Sequence, residues 1–91
     1  MAYFVYLIGS YNKSKLTTYV GYTNNLKKRL KLHNQGRGAK FTRGRSWKII
    51  YTEKYAAKSE AILRECCIKK DRKFRNLIKK SFYENFNITT L

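Results

Sequence analysis

The chain holds few groups able to do acid–base or metal chemistry. Its acids are Glu53, Glu60, Glu65, Asp71 and Glu84, and its only histidine is His33. Glu60 and Glu65 stand five residues apart, about 140° round a helix, so they cannot share a face. A two-metal phosphoryl-transfer site needs several converging carboxylates, and five scattered acids argue against one. A single carboxylate is enough for one hydrated Mg²⁺, which is often bound by one or two protein carboxylates and keeps several waters. One histidine cannot serve a Cys-His-acid arrangement, no Gly-x-Ser-x-Gly elbow occurs, and Gly36-Arg37-Gly38 lacks the Gly-Lys-Ser/Thr ending of a P-loop. Tyrosine is abundant by contrast, with eight in all. Tyr6, Tyr19 and Tyr22 lie in two neighbouring apolar runs, and Arg29 lies in the segment that follows.

These groups sit in a strongly basic chain. Twenty-one Lys and Arg against five Asp and Glu give a net charge of +16 over 91 residues, which predicts a polyanionic partner. With 43% hydrophobic and 15% aromatic residues the chain can build a core, so it is not a disordered basic tail. A single domain of this size buries only roughly 60 to 65% of its unfolded surface, which places function on the surface or in a shallow cleft. The longest apolar run, Phe4-Val5-Tyr6-Leu7-Ile8, is far short of the roughly 20 residues of a membrane span. No export signal is visible, and Cys66-Cys67 fits neither a disulfide framework nor a Cys-x-x-Cys metal site, so both cysteines are expected as reduced thiols of an intracellular protein, cytoplasmic or nuclear.

The elements that must position the reactive groups follow from patterning. Residues 3–8 and 17–22 are runs of strand formers and read as a hairpin, with residues 9–16 as an exposed loop longer than a tight turn. Apolar residues on both faces of the first strand make it central. Asn24 or Asn25 can cap a helix running to about His33, with Leu26 and Leu30 one turn apart. Residues 36–45 form a glycine-punctuated basic stretch, and residues 47–51 read as a third strand. Ser59 is expected to cap a second helix to about Lys70, and Asp71 a third with Phe74, Leu77, Ile78 and Phe82 as its apolar stripe. The order β-β-α-β-α-α, a hairpin and third strand covered by helices, is an α+β domain over residues 1–82 with a tail at 83–91.

At these residues the sequence resembles the GIY-YIG nuclease superfamily, in the form of its small stand-alone members. The signature tripeptides stand as Phe4-Val5-Tyr6 and Tyr19-Val20-Gly21. Gly21-x-Thr23-x-Asn25-Leu26 follows, then Arg29 and His33 within Lys28-Arg29-Leu30-Lys31-Leu32-His33-Asn34, then Gly38-Ala39-Lys40-Phe41-Thr42-Arg43-Gly44. Ser59-Glu60-Ala61-Ile62-Leu63-Arg64-Glu65 resembles the helix that carries the family's metal-binding glutamate. The resemblance covers about residues 3 to 80, and its strength lies in the ordered set, with Arg29 ten residues after Tyr19. It departs from the pattern in having Phe4 for Gly, Val in the middle of both tripeptides, and no proline after the glutamate helix.

The resemblance implies Mg²⁺- or Mn²⁺-dependent cleavage of DNA phosphodiesters on a three-stranded antiparallel sheet flanked by helices. Position by position it makes Tyr6 and Tyr19 the motif tyrosines, Arg29 the phosphate-facing arginine, His33 a residue often His or Tyr in relatives, and Glu65 the metal ligand. A motif tyrosine is the first candidate to take the proton of the attacking water, with His33 second; for a phenol with a reference pKa of about 10 the basic surroundings must favour the phenolate.

Each of these residues also has a plainer reading. Strand tyrosines are usually core, Glu65 can pair with Lys69 at i+4, His33 can be a helix C-terminal cation, and Glu60 suits a helix N-terminus. Lys28, Arg37, Lys40, Arg43 and Arg45 are the expected nucleic-acid contacts, and residues 36–45 are otherwise a solvated loop. Trp47 is expected to pack at a strand start, with a base-stacking platform as its alternative. The expected partner is DNA, branched, nicked or single-stranded, with structure-selective or weakly specific cleavage or a specificity supplied by a partner, a protein partner or homo-oligomer left open, and no membrane. The rival function is a non-catalytic basic DNA- or RNA-binding module on the same fold.

Overall fold

The apolar run after Met1 becomes the middle of the sheet. A computed structural model describes residues 2–12 and 15–90. Strand β1 (Tyr3–Asn12) lies between β2 (Lys15–Thr23) and β3 (Lys48–Tyr55), antiparallel to both, in the order β2-β1-β3. Side chains alternate across a strand, so each face of β1 receives its own core. Val5 and Leu7 pack with Val20, Ala61 and Ile68 on one face, while Tyr6 and Ile8 pack with Trp47 on the other. Val5, Leu7 and Ile8 are wholly buried, which at about 1.5–3 kcal/mol each makes this strand the main source of apolar stabilisation.

Helix α1 (Leu26–Asn34) covers the Tyr6 face through Leu26 and Leu30. Helices α2 (Lys58–Lys70) and α3 (Arg72–Thr90) cover the other, with Phe74 and Ile78 of α3 against the Val5 cluster. The architecture is α+β in the order β-β-α-β-α-α, with a short 3₁₀ turn at Lys40–Thr42 before β3. Asn25 caps α1 by accepting from the Lys28 amide at 3.0 Å, and Asp71 caps α3 by accepting from the Phe74 amide at 3.0 Å. Among the described residues no helix is long and apolar enough to cross a membrane.

Four expectations are corrected. The hairpin ladder continues through Tyr11↔Leu16 to Asn12↔Lys15, so the long loop expected over 9–16 is strand except at 13 and 14, which lie outside the described residues; Thr and Tyr flanking the polar residues sustain the pairing. Strand β3 runs on to Tyr55 because it stays paired with β1 as far as Tyr3↔Tyr55, and there the Tyr51 and Tyr55 hydroxyls donate to Glu53. Helix α2 begins at Lys58, one residue before the expected Ser59 cap, and the Ala57 amide donates to Glu60 Oε1 at 3.3 Å. Leu77 is 64% exposed rather than core, since only Phe74 and Ile78 of the α3 stripe meet the sheet-side cluster. Residues 83–90 continue α3, and Leu91 lies outside the described residues.

Candidate active site

The edge position of β2 lets groups from both faces of the sheet meet beside it. The turn from β2 into α1 is tied locally, with Asn25 N–H donating to Thr23 Oγ1 at 3.1 Å before the Asn25 cap begins the helix. That entry brings Arg29, at the middle of α1, over β1. Its Nε donates to the Tyr6 hydroxyl at 3.4 Å and its Nη2 to the Gly38 carbonyl at 3.3 Å, so the guanidinium is held from two sides.

Tyr6 is 2% exposed and its hydroxyl meets His33 Nε2 at 2.8 Å. His33 is fully buried in the last turn of α1, and its Nδ1 meets Thr42 Oγ1 at 2.9 Å. The Thr42 hydroxyl donates its single proton to the Ala39 carbonyl at 2.9 Å. The proton between His33 and Thr42 therefore sits on Nδ1, Nε2 is an acceptor, and the Tyr6 O–H donates to it. Burial, and then the nearby Arg29 cation, push the His33 pKa down, so the ring is a neutral imidazole and not the helix C-terminal cation that is its plainer reading. Burial raises the Tyr6 pKa, against the opposing pull of Arg29. Trp47 closes this network from below: it is 2% exposed and its Nε1–H donates to the Thr42 carbonyl at 2.9 Å, so it is a packing residue and no stacking platform.

Two glycines are required by close approach. A Cβ at Gly21, opposite Tyr6 in the ladder, would lie 2.6 Å from Tyr6 Cζ, and one at Gly38 would lie 2.7 Å from His33 Cγ. Tyr19 packs edge-on to His33, ring centroids 5.2 Å apart, and lies near-parallel to Phe41 at 6.1 Å. Among the described residues its hydroxyl has no hydrogen bond.

Glu65 arrives from the opposite layer. Ala61 and Ile68 bury α2 against the sheet, and Arg64 makes two hydrogen bonds to Glu53, at 2.8 and 3.0 Å, with its guanidinium 5.1 Å from the Phe74 ring centre. These contacts fix the rotation of α2 and turn Glu65, whose side chain is 18% exposed, toward β2, with Lys69 Nζ 3.4 Å from its Oε1. A cleft of 410 Å³ results, with Tyr6, Tyr19, Gly21, Arg29, Lys58 and Glu65 in its wall. Among the described residues Glu65 is its one acid. Glu53 is engaged by Arg64, and Glu60 and Asp71 serve helix starts. Among the described residues no three His, Cys, Asp or Glu side chains converge, so the donor set is one hard carboxylate, which suits a hydrated Mg²⁺ or Mn²⁺ rather than a metal held in a protein cage.

The structure thus brings Tyr6, Tyr19, Arg29 and Glu65 to one cleft and sets His33 behind it. Lys28 lines a smaller adjoining hollow with Arg29. Arg37, Lys40, Arg43 and Arg45 are exposed outside the cleft, and Arg45 reaches Thr17 Oγ1 at 3.5 Å on β2. Residues 36–45 are more than a solvated loop, because Gly38 and Thr42 are packed on His33. Sequence reasoning misses Lys58, one cation among twenty-one with no local pattern to mark it. It also misses Thr42, whose role depends on a contact nine residues away.

Residues 2–79 match the GIY-YIG catalytic domain. The chain is 41% identical over 83 residues to a UPF0213 protein of Oceanobacillus iheyensis, covering 90% of this chain and 93% of that one. It is 44% identical over 85 residues to a UPF0213 protein of Clostridium perfringens, covering 89% and 88%. The NMR structure of a UPF0213 protein of Bacillus halodurans is 30% identical, with a TM-score of 0.49 over 88% of this chain and 84% of that one. Since the matching region takes in every residue of the cleft wall, and the relatives are similar along nearly their whole length, the chain belongs to the GIY-YIG family.

Proposed function

We propose that the protein is an endonuclease that hydrolyses DNA phosphodiesters with one Mg²⁺ or Mn²⁺. The observation that carries this reading is the cleft lined together by an oriented arginine, a tyrosine whose hydroxyl makes no hydrogen bond among the described residues, and the Glu65 carboxylate. Arg29, held by Tyr6 and Gly38, grips the scissile phosphate and offsets the charge that grows on its oxygens in the transition state. The Tyr19 hydroxyl orients the attacking water and takes its proton while passing its own proton to solvent. Tyr6 and His33 act one step back: the buried neutral imidazole holds the Tyr6 proton, which leaves the phenol oxygen as an acceptor that aims Arg29. Glu65 would hold the metal ion, which would supply Lewis-acid chemistry to a phosphate oxygen. Lys58 and Lys28 extend the positive lining along the bound strand, and Arg37, Lys40, Arg43 and Arg45 add salt-sensitive contacts farther out.

The test is cleavage of supercoiled plasmid and of linear, nicked and branched oligonucleotides, with and without chelator. The expected result is metal-dependent cutting by the wild type and none by Glu65→Ala, with DNA binding retained in both. Salt-sensitive binding with no cleavage, unchanged by Tyr19→Phe and Glu65→Ala, refutes the enzyme and leaves a nucleic-acid-binding module.

A further inference from the structure

Tyr19 also walls a second hollow, of 330 Å³, bounded on its other sides by Thr18, Val20, Phe41, Lys69 and Arg75. Its make-up is unlike a gap in the core. Phe41 is 56% exposed, a large apolar ring that gains little from burial where it stands. It is nonetheless fixed, near-parallel to Tyr19 with 22° between the rings and 6.5 Å from the centre of buried Trp47. Opposite stand two cations. The Arg75 Nη1 is pinned to the end of α2, donating to the Ile68 carbonyl at 2.7 Å and the Lys69 carbonyl at 2.5 Å, and among the described residues no acid pairs with it. Lys69, with its side chain 51% exposed, links this hollow to Glu65 in the cleft. A held aromatic surface beside fixed positive charge is the arrangement that binds single strands, the base on the ring and the backbone along the cations.

The position of the hollow makes it part of a track. It shares Tyr19 with the cleft, and the cleft shares Arg29 with the hollow at Lys28. One strand lying through all three passes Phe41, then Tyr19 and Glu65, then Arg29 and Lys28. A base inside a duplex already has both faces stacked and reaches Phe41 only after leaving its partner.

We propose that the Phe41–Lys69–Arg75 hollow binds an unpaired nucleotide of the cut strand, its base stacked on Phe41 and its phosphates facing Lys69 and Arg75. The inference rests on the reading of the cleft as a DNA site and adds to it the class of substrate, DNA with a single-stranded segment beside the cut.

The experiment is fluorescence anisotropy in EDTA, where no cleavage contributes, with the full chain, a labelled oligothymidylate and a blunt duplex of equal length at one salt concentration. Phe41→Ala is expected to weaken oligothymidylate binding about fivefold or more, the loss of one stacked base, while duplex binding stays within about twofold. Phe41→Trp restores the single-strand affinity. A 2-aminopurine base in the oligonucleotide is expected to lose fluorescence on binding the wild type and Phe41→Trp but not Phe41→Ala. An equal loss for both DNAs, no loss for either, or failure of Phe41→Trp to restore binding overturns the proposal. Because nothing is cut in this assay, its outcome is separate from that of the nuclease test: a protein that never cleaves can still show the Phe41 effect, and an active nuclease can lack it.

Discussion

The two motif tyrosines are expected to fail in opposite ways when each loses its hydroxyl. Tyr6→Phe removes the donor to His33 Nε2, a ring nitrogen of a fully buried side chain with no alternative partner among the described residues. A buried acceptor left unpaired costs about 1–3 kcal/mol, and in a domain of this size each kcal/mol lowers the melting temperature by about 4–8 °C. Tyr6→Phe should therefore melt at least about 4 °C below the wild type, with a modest loss of rate because Arg29 keeps its Gly38 carbonyl at 3.3 Å. Tyr19→Phe deletes a hydroxyl without a hydrogen bond among the described residues, so stability should change by no more than about 0.5 kcal/mol. Its single-turnover cleavage rate should fall by about 10²–10⁴, the usual contribution of a positioned proton acceptor. Calorimetry and a labelled-oligonucleotide cleavage time course on the same preparations separate the two effects. A Tyr19→Phe protein that cuts at the wild-type rate, or a Tyr6→Phe protein that melts with the wild type, refutes the division of labour drawn from the hydrogen-bond pattern.

Two further predictions concern the braces of the site. The bidentate Arg64 pair, helped by the hydroxyls of Tyr51 and Tyr55, pulls the Glu53 pKa from 4.5 to about 2. That shift corresponds to at most about 3–4 kcal/mol, and because the Arg64 side chain is 35% exposed, solvent screening reduces it to roughly 1–2 kcal/mol. The folded-state pKa lies below the unfolded one, so this stabilisation is complete above about pH 5 and is lost as the pH falls toward 2. Urea melts of wild type and Glu53→Gln should differ most near neutrality and converge in that acid window, and a constant difference across it would disprove the assignment. Gly38→Ala places a methyl against the buried His33 ring and should destabilise by about 1–3 kcal/mol through overpacking. Denaturation of that variant alongside Gly44→Ala, where nothing lies within 4 Å of an added Cβ, measures the clash against the strain of a positive φ alone.

Local chemistry made much of this legible in the sequence. The continuous apolar run of β1 marks it as central, because both of its faces receive a core. Asn25 and Asp71 announce helices α1 and α3 because a side-chain cap is a contact within three residues. What depends on contacts across the fold was hidden. The register that carries the hairpin to Asn12↔Lys15 is decided by pairing, against the polar composition of that stretch. The enclosure of His33 needs Gly38, Thr42 and Tyr6 to converge from three segments, so the sequence alone leaves it as readily an exposed helix-end cation.

In helix α2 the apolar pattern by itself does not mark Glu65, although the ordered motif does. Its large apolar residues suggest that Ile62 and Leu63 face the core, yet these are 41% and 68% exposed, and the helix buries the smaller Ala61 together with Ile68. Those two positions are seven apart, and Arg64 and Glu65 lie between them on the same stripe. Two charged residues on the inward stripe of a small domain are unfavourable unless each has a partner. Arg64 has Glu53. Glu65 has the 3.4 Å contact to Lys69 and an opening into the cleft. The helix thus gives up burial of a leucine and an isoleucine to aim one carboxylate at the edge of the sheet. Glu60 differs, since its carboxylate accepts from the Ala57 amide at the start of its own helix.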